Sequence, residues 1–245
     1  MITIGILGGM GPMATADLFE KIIKNTPAST DQEHLKVIVY NNPQIPSRIN
    51  AIINGTESPL KELISSAKLL EKAGAEVLVM PCNTAHFWYQ DIQKAVNVKL
   101  INMIENTADY VKVQKLDSTE KFMLFASVAT VKTEMYQKAF LAKGLVVLTP
   151  NIEEQKIVSL AIQEAKAGRI EDNSNNKLLS EIIFKYQQMG VSAFIAGCTE
   201  IPLLFPCISG NYQLIDPTKI LAQTVVNQAM KINLKSSPTD LYCNL

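Results

Sequence analysis

Apolar and polar positions along the chain follow two periods in turn. Residues 2–7 form a nearly continuous apolar run, the pattern of a buried strand, and lead through a glycine-rich turn into a helical pattern over 13–24. The β-branched stretch 37–40 reads as a short strand. Ser58 and Pro59 supply an N-cap and a first-turn proline. Beyond them Leu60, Leu63, Ile64, Ala67 and Leu70 recur at a 3.6-residue period, and Gly74 closes the helix. A strand over 76–80 follows, then a helix beginning near Thr84. The order then repeats, with strands at 121–127 and 145–148 and a helix between them starting near Thr133. Helices over 153–166 and 173–188 close at Gly168 and Gly190 and lead to a strand at 192–196. A last helix runs from Asp216-Pro217 to about residue 231.

This strand-helix alternation predicts an α/β protein of two similar lobes, each a mostly parallel sheet flanked by helices, with the active site in the cleft between them. The first lobe spans 1–114, carries Cys82 and has 216–231 packing back on it; the second spans 115–215 and carries Cys198. The polar stretch 115–121 is the linker, and 232–245 is a polar tail.

Composition narrows the function classes. With 47% apolar and 19% charged residues over 245 positions, the chain fills a sizeable core, which excludes wholesale disorder. Lysine plus arginine and aspartate plus glutamate both number 23, so no basic footprint for nucleic acid or an anionic membrane arises. Apolar stretches such as 76–82 fall far short of the roughly 18 residues of a membrane span. The start lacks a basic n-region and reads as a strand rather than a secretory signal. Cysteines at 82, 198, 207 and 243 are too scattered for a disulfide framework, which points to the reducing cytoplasm.

Two of those cysteines share a layout. Val77-Leu-Val-Met-Pro-Cys82-Asn-Thr84 and Ala193-Phe-Ile-Ala-Gly-Cys198-Thr-Glu200 each run apolar strand, Pro or Gly, Cys, then a polar pair. In open α/β sheets ligands collect at the carboxyl ends of strands, so each lobe offers one thiol where a substrate would lie. A lone cysteine is more often a small buried hydrophobe, and Cys207 and Cys243 are read that way; the matched pair is not. His86, four residues after Cys82, gives half a metal site with no third ligand in view, so no metal is expected. The turn Gly9-Met10-Gly11-Pro12-Met13-Ala14 loosely fits a dinucleotide fingerprint, but 37–40 ends in Asn41-Asn42-Pro43 with no acid, and a small anion suits it better. Opposed thiols suit inversion at a Cα: one as thiolate takes the proton from one face while the other as thiol returns one from the opposite face. Thiols titrate within reach of neutral pH. Backbone N–H groups near Met10, with side chains from both lobes, would meet the carboxylate where charge develops.

Gly5-Ile-Leu-Gly-Gly-Met-Gly-Pro12, Met80-Pro-Cys-Asn-Thr-Ala-His86 and Ala196-Gly-Cys-Thr-Glu-Ile-Pro202 together resemble the aspartate/glutamate racemase superfamily, on the aspartate racemase side. The likeness covers nearly everything but the tail. It implies a cofactor-independent homodimer with catalytic Cys82 and Cys198 acting on an acidic amino acid. It also implies that Arg48, in Asn41-Asn-Pro-Gln-Ile-Pro-Ser-Arg48, and Lys166 bind carboxylates, and that Asn83, Thr84 and Thr199 hydrogen-bond the α-amino or α-carboxylate group. A bidentate arginine and a lysine complement two anions. The chain departs from the family at Ser47, where aspartate is usual, and at Ala129, where glycine is usual; Ser127 and Thr130 keep their hydroxyls for substrate.

The main expectation is therefore racemisation of aspartate, with glutamate or a broader range as alternatives. A related isomerase, decarboxylase or hydantoin racemase is the second class, and an amino-acid-binding protein, which has no need of paired thiols, is the third.

Overall fold

Two four-stranded parallel sheets organise the chain. The computed structural model describes residues 2–114, 121–208, 210 and 212–236. In the first sheet β1 (Thr3–Gly8), β2 (Lys36–Asn41), β3 (Val77–Val79) and β4 (Lys99–Leu100) stand in the order β2-β1-β3-β4. In the second, β5 (Lys121–Ala126), β6 (Val146–Leu148), β7 (Val191–Gly197) and β8 (Gln213–Ile215) stand in the order β6-β5-β7-β8. Counted from each lobe's own first strand, these are one topology used twice. Each places a switch point between its first and third strands, the crevice where α/β sheets take ligands.

Helices α1 (Pro12–Asn25), α2 (Arg48–Asn54), α3 (Leu60–Lys72), α4 (Tyr89–Ala95) and α5 (Met103–Val113) connect or follow the first four strands. Around the second sheet lie α6 (Val128–Lys132), α7 (Met135–Leu141), α8 (Ile152–Lys166), α9 (Asn176–Gln188) and α10 (Ile201–Leu204), while α11 (Pro217–Ser236) returns to pack mainly on α1 and α5.

Alternation along each strand sends successive side chains to opposite cores. Ile4, Ile6, Val77 and Val79 pack with Leu18 and Ile22 of α1 and Leu221 and Val225 of α11. Leu7, Leu78 and Met80 pack with Leu63, Ala67 and Leu70 of α3. In the second sheet Phe122, Leu124 and Ile195 meet Tyr136 and Phe140 of α7, while Met123, Phe125 and Phe194 meet Val158, Ile162, Leu179 and Ile183 of α8 and α9. Two helices tie the lobes together. Helix α5 puts Met103 into the first lobe's core but Ile104, Ala108 and Val111 into the second's, and α11 divides likewise at Ile220 and Leu221.

Several elements depart from the expected pattern. Thr84–Trp88 is a 3-10 turn rather than α-helix, because the Cys82 carbonyl bonds the His86 ring at 2.8 Å while the His86 N–H turns to Asn83 O at 3.1 Å. The helix expected near Thr133 begins at Met135, after a break at Glu134 with φ 56°, and α6 precedes it. Helix α11 passes 231 and runs to Ser236, since no glycine or proline interrupts that stretch. The expected linker, apart from Lys121 at the start of β5, and positions 237–245 of the expected tail lie outside the described residues.

Candidate active site

Both cysteines leave the carboxyl end of the third strand of their sheet. After β3 the chain turns at Met80-Pro81, with the Cys82 N–H donating to the Met80 carbonyl at 2.9 Å. Cys198 follows β7 directly. There Gly197 is required, because a Cβ on it would stand 2.5 Å from Leu124 Cδ1 and 2.8 Å from Ala126 Cβ on β5. The ring of His86 braces the first cysteine. Met103 N–H donates to its Nε2 at 3.1 Å, so Nδ1 carries the hydrogen and donates to the Cys82 carbonyl. Both ring nitrogens are spent on backbone, which removes His86 as a metal ligand or as a base for Cys82.

Cys82 and Cys198 line one cavity of about 60 Å³. From the first lobe Met10, Ser47, Arg48, Ile49, Asn83 and Thr84 share its wall; from the second come Lys166, Thr199 and Glu200. Ser47 caps α2 by accepting the Asn50 N–H at 3.2 Å, which presents Arg48 as the first residue of that helix. Arg48 donates through Nη1 to the carbonyls of Ile45 at 2.8 Å and Pro46 at 2.7 Å, leaving the Nε and Nη2 hydrogens for a ligand. Lys166 ends α8, where the helix dipole favours a cation. Burial pulls its pKa down, but the acidic surroundings, Glu200 among them, outweigh this and hold it above the ordinary lysine value.

The second thiol has a close carboxylate. Cys198 Sγ donates to Glu200 Oε2 at 2.9 Å, and the Thr199 hydroxyl donates to the same oxygen at 3.2 Å. Burial pushes the Cys198 thiol well above its ordinary value, Glu200 pushes it further, and Lys166 opposes both. Cys198 is therefore held as thiol.

The polar pair after Cys82 is gripped by the other lobe. Thr84 Oγ1 lies 3.0 Å from Ser127 Oγ and 2.9 Å from Thr130 Oγ1, and Tyr136 OH donates to Asn83 Oδ1 at 2.5 Å. Ser127 and Thr130 thus stand behind Thr84 and are absent from the residues lining the cavity. Met10 lines it, held by a tight approach at Gly9, whose own N–H is spent on Thr15 Oγ1 at 2.9 Å. That N–H is not available to an anion.

The profile of Asp/Glu/hydantoin racemases matches residues 7–225. The chain belongs to this family. A broad-specificity amino-acid racemase of Bacillus subtilis strain 168 is 26% identical over 228 residues, covering 91% of this chain and 96% of that protein. The Picrophilus torridus aspartate racemase superposes with a TM-score of 0.81 at 30% identity, covering 94% of this chain and 95% of its own. An aspartate racemase homologue from Pyrococcus horikoshii OT3 gives 0.75 at 28% identity, covering 94% and 100%.

Within this racemase architecture, sequence reasoning missed Glu200 as a site residue, although it stands in the Cys-Thr-Glu triplet. A carboxylate two residues beyond a candidate thiol is the signal that would have found it. Ser47 and Ile49 also line the cavity without having been expected there. Cys207 lies in a separate 3-10 turn, Phe205–Cys207, and Cys243 is outside the described residues. Among the described residues no cluster of three metal-ligating side chains occurs, and no helix is long and apolar enough to cross a membrane.

Proposed function

We propose that the protein interconverts L- and D-aspartate without a cofactor, with Cys82 and Cys198 as the two acid/bases. The observation that carries this reading is the single cavity lined by one cysteine from each lobe together with Arg48 and Lys166. Two cations suit two carboxylates, and two thiols suit the two faces of one Cα.

In each direction one thiolate takes the Cα proton, breaking C–H and forming S–H. The opposite thiol gives its proton to the other face, breaking S–H and forming C–H. The enzyme ends with thiol and thiolate exchanged and resets between turnovers. Since the Cys198 hydrogen rests on Glu200, Cys198 starts as the acid in the resting form. Arg48, Lys166 and the Asn83-Thr84 pair hold the carboxylates while negative charge builds at Cα.

The experiment is incubation of pure L-aspartate in buffered heavy water with neither pyridoxal phosphate nor metal. Optical rotation should decay as deuterium enters Cα, and alanine at either cysteine should cut turnover at least about a thousandfold. Near-normal racemisation by Cys198→Ala overturns the two-base reading. The likeness to a broad-specificity racemase favours a second reading, a wider substrate range, and a panel of amino acids in the same assay decides between them. The homodimer belongs to the proposal and is read by light scattering.

A further inference from the structure

Asn83 carries an incomplete set of hydrogen bonds. Its Oδ1 accepts from Tyr136 OH at 2.5 Å, while its Nδ2 is buried with no partner among the described residues. The residue lines the cavity and is only 3% exposed. An orphaned amide hydrogen in such a place is unfavourable until an acceptor arrives.

A side-chain amide has two seatings with opposite chemistry. With Nδ2 toward the cavity it offers hydrogens to a carboxylate, and with Oδ1 there it offers an acceptor to an ammonium group. The choice falls to its partner. Tyr136 is fully buried near the start of α7, in the other lobe and 53 residues along the chain. Burial drives its phenol well above the ordinary value, with Asp216 and Cys198 adding to that and Thr107 opposing it. The hydroxyl therefore keeps its hydrogen at any working pH and has it to give.

We propose that Tyr136 is a positioning residue whose hydroxyl seats the Asn83 amide so that Nδ2 donates to a carboxylate of the bound amino acid. This rests on the acidic-amino-acid reading above and names the group that orients one of its binding residues. A second-lobe residue thereby sets the chemistry presented by a first-lobe residue.

The test is a double-mutant cycle of Tyr136→Phe and Asn83→Ala, read in KM, kcat and the calorimetric dissociation constant for L-aspartate. Tyr136→Phe should weaken L-aspartate about tenfold in both KM and dissociation constant, with kcat much less affected. The double variant should bind no worse than Asn83→Ala alone, because Tyr136 acts through that amide. Multiplying effects, or wild-type affinity in Tyr136→Phe, overturn the proposal, since a purely structural tyrosine gives the first and an irrelevant hydroxyl the second. If the wild type binds L-aspartate without racemising it, the racemase reading fails while the cycle on dissociation constants still decides the role of Tyr136. If it neither binds nor turns over L-aspartate, both fall.

Discussion

The thiol of Cys198 rests on the carboxylate of Glu200, Sγ to Oε2 at 2.9 Å, two residues further along the chain. A negative charge there opposes ionisation of the thiol, in addition to the larger effect of burial. Glu200→Gln keeps the shape and removes the charge, so Cys198 should ionise at lower pH. In a Cys82→Ala background, the pH dependence of Cys198 alkylation by iodoacetamide should move downward. With both cysteines present, the alkaline fall in turnover should move the same way for the direction that uses Cys198 as acid. Alkylation that stays put or moves upward would remove Glu200 from this role.

Lys166 has the opposite sign. Its ammonium lowers the Cys198 pKa against burial and Glu200, so Lys166→Met should shift alkylation of Cys198 to higher pH. On the proposed function the same change takes one cation from the substrate carboxylates, and kcat/KM for aspartate should fall about a hundredfold. Lys166→Arg should recover part of the loss. Equal kcat/KM in Lys166→Met and wild type would return Lys166 to ordinary surface charge.

The wall at Met10 depends on its neighbour. Gly9 has φ +102°, and a Cβ there would stand 2.2 Å from the carbonyl oxygen of Asn42 and 2.6 Å from its nitrogen. Backbone at that range cannot rotate away. Gly9→Ala should destabilise the protein by about 3 kcal/mol or more, the sum of conformational strain and the forced shift of the 41–43 loop. Gly55→Ala, at φ +63° with nothing within 4 Å of the new Cβ, isolates the strain alone and should cost about 1 kcal/mol. Chemical denaturation of both variants gives the comparison, and similar losses would rule out the Asn42 contact as the cause.

How much of this is legible in the chain depends on how local each cause is. The two sheets and both cysteine-bearing strand ends are written in periods of two and 3.6 and in the strand-Cys layout, so Val77 to Thr84 and Ala193 to Glu200 read correctly. Short elements are less visible: α2 and α4 have too few turns to show a period, and β4 is only Lys99–Leu100. The 3-10 turn after Cys82 escapes because a side chain, His86, competes for a backbone carbonyl. Arg48 and Lys166 look like surface charge, and only the family resemblance singles them out. Ser127 and Thr130 are recognisable as hydroxyls near the site, but packing decides that they hold Thr84. Tyr136 leaves no local signal, since its partner Asn83 belongs to the other lobe.

His86 makes the stability of the first lobe depend on acid. Burial pulls its pKa from 6.5 down to about 4, against the raising effect of its hydrogen bond to the Cys82 carbonyl. The folded protein therefore binds a proton less readily than the unfolded chain. Between pH 6.5 and about 4 the unfolded state holds more protons, so stability falls as pH falls through that window. The contribution is complete above 6.5 and fully lost below about 4. At about 1.4 kcal/mol for each tenfold in proton affinity, the whole effect is about 3 kcal/mol. His86→Gln keeps a donor and an acceptor but does not titrate. Its stability at neutral pH should be lower, and its denaturation midpoint should decline less steeply than wild type between pH 6.5 and 4.5. Parallel pH profiles for the two proteins would mean that the ring takes up its proton as readily when folded as when unfolded, and the brace beneath Cys82 would then need another explanation.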